Sequence, residues 1–150
     1  MDSKLRQMKP GCLVEANRLA EIHENAPSQW LGGYVPSAEV IGLRTEEFLK
    51  VSQQLDRTLL LIAESNGEIS GFHWVDKEGH AAHIKSLWVA ESHRKSGLAA
   101  TLKSAGEAWA KSRHLKEMVT SVHFTNKRML DINLRNGFVP GFVQMTKSLS

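Results

Sequence analysis

A strand-to-turn-to-helix unit over residues 87–102 constrains the fold of this chain more than any other feature. The apolar residues 87–89 predict a buried strand, and the Ala/Leu-rich residues 100–102 predict a helix. Between them, residues 94–99 carry two cations and Gly97 at the bend. The first turn of a helix has unpaired N–H groups and a partial positive charge, so this unit predicts an anion site. A charged turn without a ligand is the alternative that the hexapeptide alone leaves open.

The bulk properties of the 150 residues predict one ordinary globular domain, because 41% of them are hydrophobic and 23% are charged. No apolar run approaches the ~20 residues that cross a bilayer. Residues 1–6 lack the apolar region of a secretory signal, and Cys12 is the only cysteine. We therefore expect a cytoplasmic protein without a membrane partner, a disulfide or a multi-cysteine zinc site.

The positive charge is small and scattered. Nineteen basic side chains face sixteen acidic ones, which gives a net charge of +3. Local concentrations occur only at residues 4–9, 94–95 and 127–128. We interpret the first as a solvated N-terminus and the other two as candidate anion contacts. A nucleic-acid-binding protein is the weakest interpretation, since no motif supports it, and we expect no nucleic-acid partner.

Hydrophobic periodicity and turn residues predict the order of the elements. Asn66-Gly67 predicts a tight hairpin, and Asn136-Gly137 predicts a left-handed helix C-cap. The alternation of helices and strands predicts an α/β domain of the α+β type around one central sheet. The predicted helices cover residues 14–23, 45–55, 98–112 and 127–134, and the predicted strands cover 58–63, 69–75, 82–89, 118–124 and one or two segments of 138–149.

Two motifs lie in the second half of the chain. The first is the strand at residues 83–89, followed by R-x-x-G-x-A at 94–99; the second is N-x-x-M-x-x-x-N-x-x-x-G-F at 126–138. Together they resemble the strand, the Q/R-x-x-G-x-G/A pyrophosphate loop and the late N-x-x-A-x-x-x-Y-x-x-x-G-F segment of the GNAT superfamily of acetyl-CoA-dependent N-acetyltransferases. The resemblance covers residues 58–149 and reaches the first 57 only through their helix pattern.

The resemblance implies a single GNAT-like domain over residues 1–150. It implies a central, mixed and mostly antiparallel sheet of about six to seven strands, flanked by about four helices. The helices within residues 10–57 would face the acceptor, and residues 58–149 would form the acetyl-CoA-binding core. A homodimer is a further expectation carried over from the family.

The resemblance also implies acetyl-CoA as co-substrate and no metal. Its pantetheine amides would pair with strand residues 87–89, where a cleft between splayed strands leaves backbone groups free. Solvated surface charge is the alternative for the two cations of the turn, and helix capping is the alternative for the asparagine that opens the second motif. The implied cofactor contacts are Leu87, Trp88, Val89, Arg94, Lys95, Ser96, Gly97, Leu98, Ala99, Ala100, Asn126, Arg128 and Asn133.

Acetyl transfer to an amine requires a base, because an alkylamine with a pKa near ~10.4 is almost fully protonated at neutral pH. His83 is the candidate, near a position where the family carries a glutamate or a histidine. Imidazole, with an unperturbed pKa of ~6.5, suits this task. An ordinary strand residue is the alternative for His83, and His80 and His73 are back-up candidates. We reject a metal at His80-x-x-His83, since a strand positions these two rings poorly and no third ligand is evident.

The thioester carbonyl would be polarised by a backbone N–H at or next to Leu87. The tyrosine that protonates coenzyme A in the family falls on Asn133, which cannot act as a general acid. An alkyl thiol has a pKa near ~8.5, so its thiolate leaves readily, and an Asn133 N–H could stabilise it. A catalytically weak GNAT-fold module that binds or senses acetyl-CoA is therefore the alternative to an enzyme.

The acceptor pocket would be formed by the first two helices and their connection. Trp30, Tyr34 and Trp74 are the candidate wall residues, and a core position is the alternative for each. The function we predict is direct transfer of an acetyl group to a primary amine of a small molecule or peptide whose identity the sequence does not reveal.

Overall fold

A sheet of five strands forms the centre of the computed structural model, which describes residues 3–150. Met1 and Asp2, part of the segment inspected for a secretory signal, lie outside the described residues. The strands pair in chain order, antiparallel except for the last pair, which is parallel. The mixed and mostly antiparallel sheet is confirmed, whereas the prediction of six to seven strands is wrong. The strands are β1 (Lys4–Gln7), β2 (Thr58–Ser65), β3 (Glu68–Glu78), β4 (Ala81–Val89) and β5 (Glu117–Thr120).

Four α-helices flank the sheet, as expected, and 3-10 turns at Ala26–Gln29 and Glu91–His93 follow α1 and β4. The second helix starts seven residues earlier than predicted, because Ser37 Oγ accepts a hydrogen bond from the N–H of Val40 at 3.1 Å and caps it. The helices are α1 (Leu13–Asn25), α2 (Ala38–Val51), α3 (Leu98–Ser112) and α4 (Lys127–Arg135).

The two faces of the sheet bury separate apolar clusters. Phe72 and Trp74 of β3 point to one face and pack with Phe48 of α2 and with α1. Val75 belongs to the cluster on the other face, which includes Leu102 and which α3 covers. The alternation along β3 therefore determines which side chains face α3. None of the four helices combines the length and apolarity that a bilayer crossing needs, within residues 3–150.

Residues 4–7 form a strand rather than the solvated segment that their charge suggested. β1 pairs antiparallel with β2, which places Arg6 opposite Ile62. The Arg6 guanidinium lies 2.8 Å from Glu15 and 2.7 Å from Glu64. Because these two carboxylates neutralise the cation, it can lie partly buried at the sheet edge.

Residues 138–150 contain no strand, so the strands predicted there are wrong. α4 ends in a Schellman motif, with the N–H of Phe138 bonded to the Asn133 carbonyl at 3.0 Å and Gly137 at φ +90°. Beyond it residues 138–150 pair with no strand of the described sheet, and an alternating pattern forms a strand only where a neighbour pairs with it. The apolar side chains of this segment are exposed: Val139, Phe142, Val143, Met145 and Leu149.

Candidate active site

A cleft opens where β4 separates from β5. The two strands pair only from Ala81 to Ile84, and beyond that point the β5 side of β4 faces open space. The pairing of β4 with β3 is also irregular. Ser86 lies opposite Trp74 and Ile84 lies opposite Val75, so Lys85 between them is an extra residue in β4. The cleft has a volume of about 870 Å³ and lies between β4, the start of α3, α4 and the end of α1.

The N-terminus of α3 forms one wall of this cleft. Its first helical hydrogen bond runs from the N–H of Thr101 to the Gly97 carbonyl at 3.1 Å, so residues 98–100 donate to no helical acceptor. Lys95 and Gly97 have φ values of +62° and +85°, and the space beside the Gly97 Cα is open to 4 Å. The backbone here can receive an anion at close range.

The charge along the cleft is strongly positive. Burial lowers the pKa of Lys103, one of the cations that line the cleft. Such a surface favours a ligand with several negative charges. Among the described residues, seven lysine and arginine side chains line the cleft against one carboxylate, Glu24: Arg44, Lys85, Arg94, Lys95, Lys103, Lys127 and Arg128.

Most of the residues predicted to bind a cofactor line this cleft. Asn126 also caps α4, because its Oδ1 accepts a hydrogen bond from the N–H of Met129 at 3.3 Å. Asn133 is 9% exposed, one α4 turn closer to the helix end than Met129. The predicted site residues that line the cleft are Trp30, Leu87, Trp88, Val89, Arg94, Lys95, Gly97, Leu98, Ala99, Asn126, Arg128 and Asn133.

Other predicted residues lie outside the lining. The Ser96 hydroxyl donates a hydrogen bond to the His93 carbonyl, and Ala100 borders a smaller cavity of about 360 Å³. Trp74 is 1% exposed, and its Nε1 donates to Asp76 at 2.9 Å within the α1/α2 side of the core. Tyr34, beyond the Ala26–Gln29 turn, also lies outside the residues that border the cleft.

The predicted base, His83, lies on β4 two residues before Lys85 and outside the cleft lining. Its Nδ1 is 2.9 Å from Glu78 Oε2, and the other oxygen of that carboxylate is 3.0 Å from Lys85 Nζ. The hydrogen bonds from His83 and Lys85 hold the pKa of Glu78 below its usual range. Of the back-up candidates, His80 is exposed in the turn between β3 and β4, and His73 is fully buried.

Sequence reasoning missed Glu24 of α1 and Lys103 of α3, which also line the cleft. Glu24 is nearly buried at the end of α1, and its carboxylate lies 2.9 Å from Arg44 Nε and 3.7 Å from His23 Nε2. Burial, aided by the charge of Arg44, lowers the pKa of His23 to about 4. The i,i+4 spacing of Lys103 from Ala99 could have identified that lysine, whereas no local signal brings Glu24 to β4.

Comparison with known proteins decides the family. The profile of the Acetyltransferase (GNAT) family matches residues 19–138, four-fifths of the chain. The chain belongs to the GNAT acetyltransferase family. The match includes α2 and the second half of α1, which the motifs alone did not reach. No group of three or more metal-binding side chains occurs in residues 3–150.

Individual relatives agree with this GNAT assignment. A mycothiol acetyltransferase of Clavibacter michiganensis is 33% identical over 84 residues, which are 55% of this chain and 28% of that protein. The chain thus spans less than a third of the curated relative that it matches. A Staphylococcus aureus GNAT structure is 27% identical, with a TM-score of 0.66, over 78% of this chain and 98% of that one. PaiA N-acetyltransferase from Thermoplasma acidophilum, solved with coenzyme A, has a TM-score of 0.75 at 20% identity, over 96% and 94% of the two chains.

Proposed function

We propose that this GNAT protein transfers the acetyl group of acetyl-CoA directly to a primary amine. One observation carries the proposal: the free edge of β4 over residues 85–89 and the start of α3, whose first N–H groups have no helical acceptor, line the same cleft. An extended ligand with amides at one end and phosphates at the other suits both surfaces. Coenzyme A has this chemistry, and the similarly folded PaiA N-acetyltransferase was solved with it.

The turn before α3 would hold the pyrophosphate. The N–H groups of residues 98–100 have no helical acceptor, and Arg94 and Lys95 add charge at the same end of the cleft. Gly97 keeps the approach open, because nothing lies within 4 Å of where its Cβ would be. Lys127 and Arg128, on the opposite wall, fit the remaining negative charge.

The amine would attack the thioester carbon, so that the C–S bond breaks and the coenzyme thiolate leaves. The N–H of Leu87 would stabilise the oxyanion, and Asn133 would donate a hydrogen bond to the departing sulfur. His83 remains the predicted base and, from outside the lining, would receive the proton through water. Cys12 lies away from the cleft, which favours direct transfer over an acetyl-cysteine intermediate.

The acceptor would enter beside α1. Trp30 borders the cleft there, and Glu24 supplies its one carboxylate among the described residues. A carboxylate attracts an ammonium group, so we assign Glu24, whose Oε2 is already paired with Arg44, to sharing its carboxylate with the protonated acceptor before it loses its proton. The acceptor is a small molecule or a peptide amine. Homodimer formation also stays a proposal, supported by the exposed apolar segment 139–149, and cytoplasmic location stays a prediction.

The test is release of free thiol from acetyl-CoA with a panel of primary amines, together with the melting temperature in saturating coenzyme A. Turnover with at least one amine and a higher melting temperature would support the proposal. A raised melting temperature with no turnover would favour the alternative, a module that binds or senses acetyl-CoA. An unchanged melting temperature would contradict both.

A further inference from the structure

The cleft depends on a single irregularity in β4. Lys85 has no counterpart on β3, and the last residue of β4 that pairs with β5 is Ile84. The peptide bonds that follow Lys85 are therefore the first ones whose outer edge faces the cleft rather than a strand. Ser86 and Leu87, which share one of these bonds, both line the cleft.

A buried histidine on β3 contacts this peptide bond from behind. His73 lies opposite Leu87 in the register and is 0% exposed, and its Nδ1 is 2.9 Å from the Ser86 carbonyl oxygen. A carbonyl oxygen only accepts, so Nδ1 carries the proton and donates it. Burial lowers the pKa of His73 to about 4, which keeps the ring neutral at physiological pH.

The ring fits because α3 has a glycine against it. A Cβ on Gly106 would lie 2.5 Å from His73 Nε2 and 2.8 Å from Cδ2, closer than any side chain tolerates. His73 Nε2 is buried with no hydrogen-bond partner in residues 3–150. A mid-helix glycine costs about 1 kcal/mol relative to alanine, and a buried unpaired ring nitrogen is also unfavourable. The mid-helix glycine and the unpaired ring nitrogen, both unfavourable, thus occur where His73 donates its hydrogen bond to the Ser86 carbonyl.

Peptide geometry connects this contact to the cleft. A trans peptide is planar, and its C=O and N–H point in opposite directions. Since the Ser86 carbonyl is bonded to a side chain of β3, the Leu87 N–H of the same peptide points away from β3. On that side of β4 lies the open cleft.

We propose that His73 is a positioning residue, which holds the Ser86–Leu87 peptide so that the Leu87 N–H faces the acyl group in the cleft. This inference rests on the proposed function. The N–H would hydrogen-bond the thioester oxygen as negative charge develops on it, and one such fixed donor is worth roughly 10²–10³ in kcat. The role differs from that of a base, because the buried ring lies outside the cleft lining and borders the smaller cavity of about 360 Å³.

Two substitutions of His73 distinguish the effect of losing the hydrogen-bond donor from the effect of losing the ring's volume. His73→Leu removes the N–H and keeps an apolar side chain, whereas His73→Asn keeps an N–H donor near the position of Nδ1. We expect His73→Leu to lower kcat at least ~10-fold with the KM for acetyl-CoA within about threefold. His73→Asn should recover kcat to within about threefold of the wild type.

Val75→Ala is the matched stability control, since Val75 is equally buried on the same face of β3. It should lower the melting temperature and leave kcat unchanged. Equal losses of kcat in His73→Leu and His73→Asn, or an unchanged kcat in His73→Leu, would overturn the proposal.

Nuclear magnetic resonance gives a readout that needs no turnover. The His73 ring should carry its proton on Nδ1, and the Leu87 amide proton should shift with acetyl-CoA but not with coenzyme A. In His73→Leu that shift should disappear. The inference would be overturned by a proton on Nε2 of His73. It would also be overturned if the Leu87 amide shift were absent in the wild type, or if it were unchanged in His73→Leu. If the resonance results hold while no amine is acetylated, the proposed enzymatic function fails and the positioning contact stands.

Discussion

At the scale of single residues, Gly106 is the position where one methyl group has the largest predicted effect. Alanine there would bring a Cβ within 2.5 Å of His73 Nε2, so either the ring or the helix must shift, and we expect the ring to move away from the Ser86 carbonyl. We expect Gly106→Ala to lower kcat at least ~10-fold, as His73→Leu does. Steady-state kinetics with acetyl-CoA and the Leu87 amide signal are the measurements.

Gly42→Ala is the control for Gly106→Ala. Gly42 lies in α2 with nothing within 4 Å of a Cβ, so the substitution should raise stability by up to about 1 kcal/mol and leave kcat unchanged. Wild-type kinetics in Gly106→Ala would show that the helix yields and the ring stays in place.

Asn133 occupies the position of the family tyrosine, and we expect its removal to be mild. A thiol with a pKa near ~8.5 leaves without full protonation, so Asn133→Ala should lower kcat by less than ~10-fold at pH 7.5. Thiol release at saturating acetyl-CoA measures this. A loss of ~10²-fold or more, as large as that expected on removing a true general acid, would contradict this mild role of Asn133.

The prediction of individual site residues succeeded where the functional groups are close together in the sequence. The cations and the glycine at residues 94–97 are contiguous, and all but Ser96 line the cleft. Trp74 and His83 depend instead on which face of a strand each side chain occupies. For His83, the face relative to residues 86–89 also depends on the extra residue Lys85 in β4, and nothing in the local sequence marks this bulge.

At the scale of elements, the N-terminus of α3 should contribute to coenzyme binding mainly through charge and free N–H groups. We expect the double variant Arg94→Ala/Lys95→Ala to raise the KM for acetyl-CoA about tenfold, with kcat nearly unchanged, because both cations line the phosphate end. The effect should shrink as ionic strength rises. Steady-state kinetics at low and high salt test this.

The matched control is Lys50→Ala/Lys111→Ala, which removes the same charge from α2 and α3 outside the cleft lining. It should leave the KM unchanged. An equal rise in KM for both double variants would show that net charge, rather than the turn, attracts the ligand.

Elements with strong local signals were predicted well. α3 runs from Leu98 to Ser112 as expected, and the Asn66-Gly67 hairpin forms with both residues at positive φ. β1 was missed, because Lys4–Gln7 becomes a strand only through pairing with β2 and through the ion pairs of Arg6. Pairing over more than fifty residues leaves no local signature.

At the scale of the whole molecule, acid should destabilise the fold through the half-buried His23 and the buried His73. The pKa values of His23 and His73 are lowered to about 4 from an unfolded value near ~6.5, so the unfolded chain binds their protons first. Their contribution to stability is complete above the unfolded pKa and is lost as the pH falls from ~6.5 towards 4.

The free energy of unfolding should therefore fall by about 2 kcal/mol per histidine between pH 7.5 and pH 5. Urea unfolding at the two pH values measures the change, and His73→Leu should remove about half of it. An identical fall in the leucine variant would mean that other groups cause the acid sensitivity.

The segment after α4 leads to the last prediction, which concerns assembly. On an extended chain, one side of this segment would carry Val143, Met145 and Leu149, which are 83%, 86% and 94% exposed. In addition, β5 is an edge strand of the described sheet. An alternating strand and an open sheet edge are complementary, and two copies of the chain can each pair this segment with the other copy's β5 edge.

We expect a dimer in sedimentation velocity at micromolar concentration. Val143→Lys/Met145→Lys should give a monomer, whereas Gln144→Lys/Thr146→Lys, with the same added charge on the polar side, should not. A monomeric wild type, or equal effects of the two pairs, would contradict pairing through this segment.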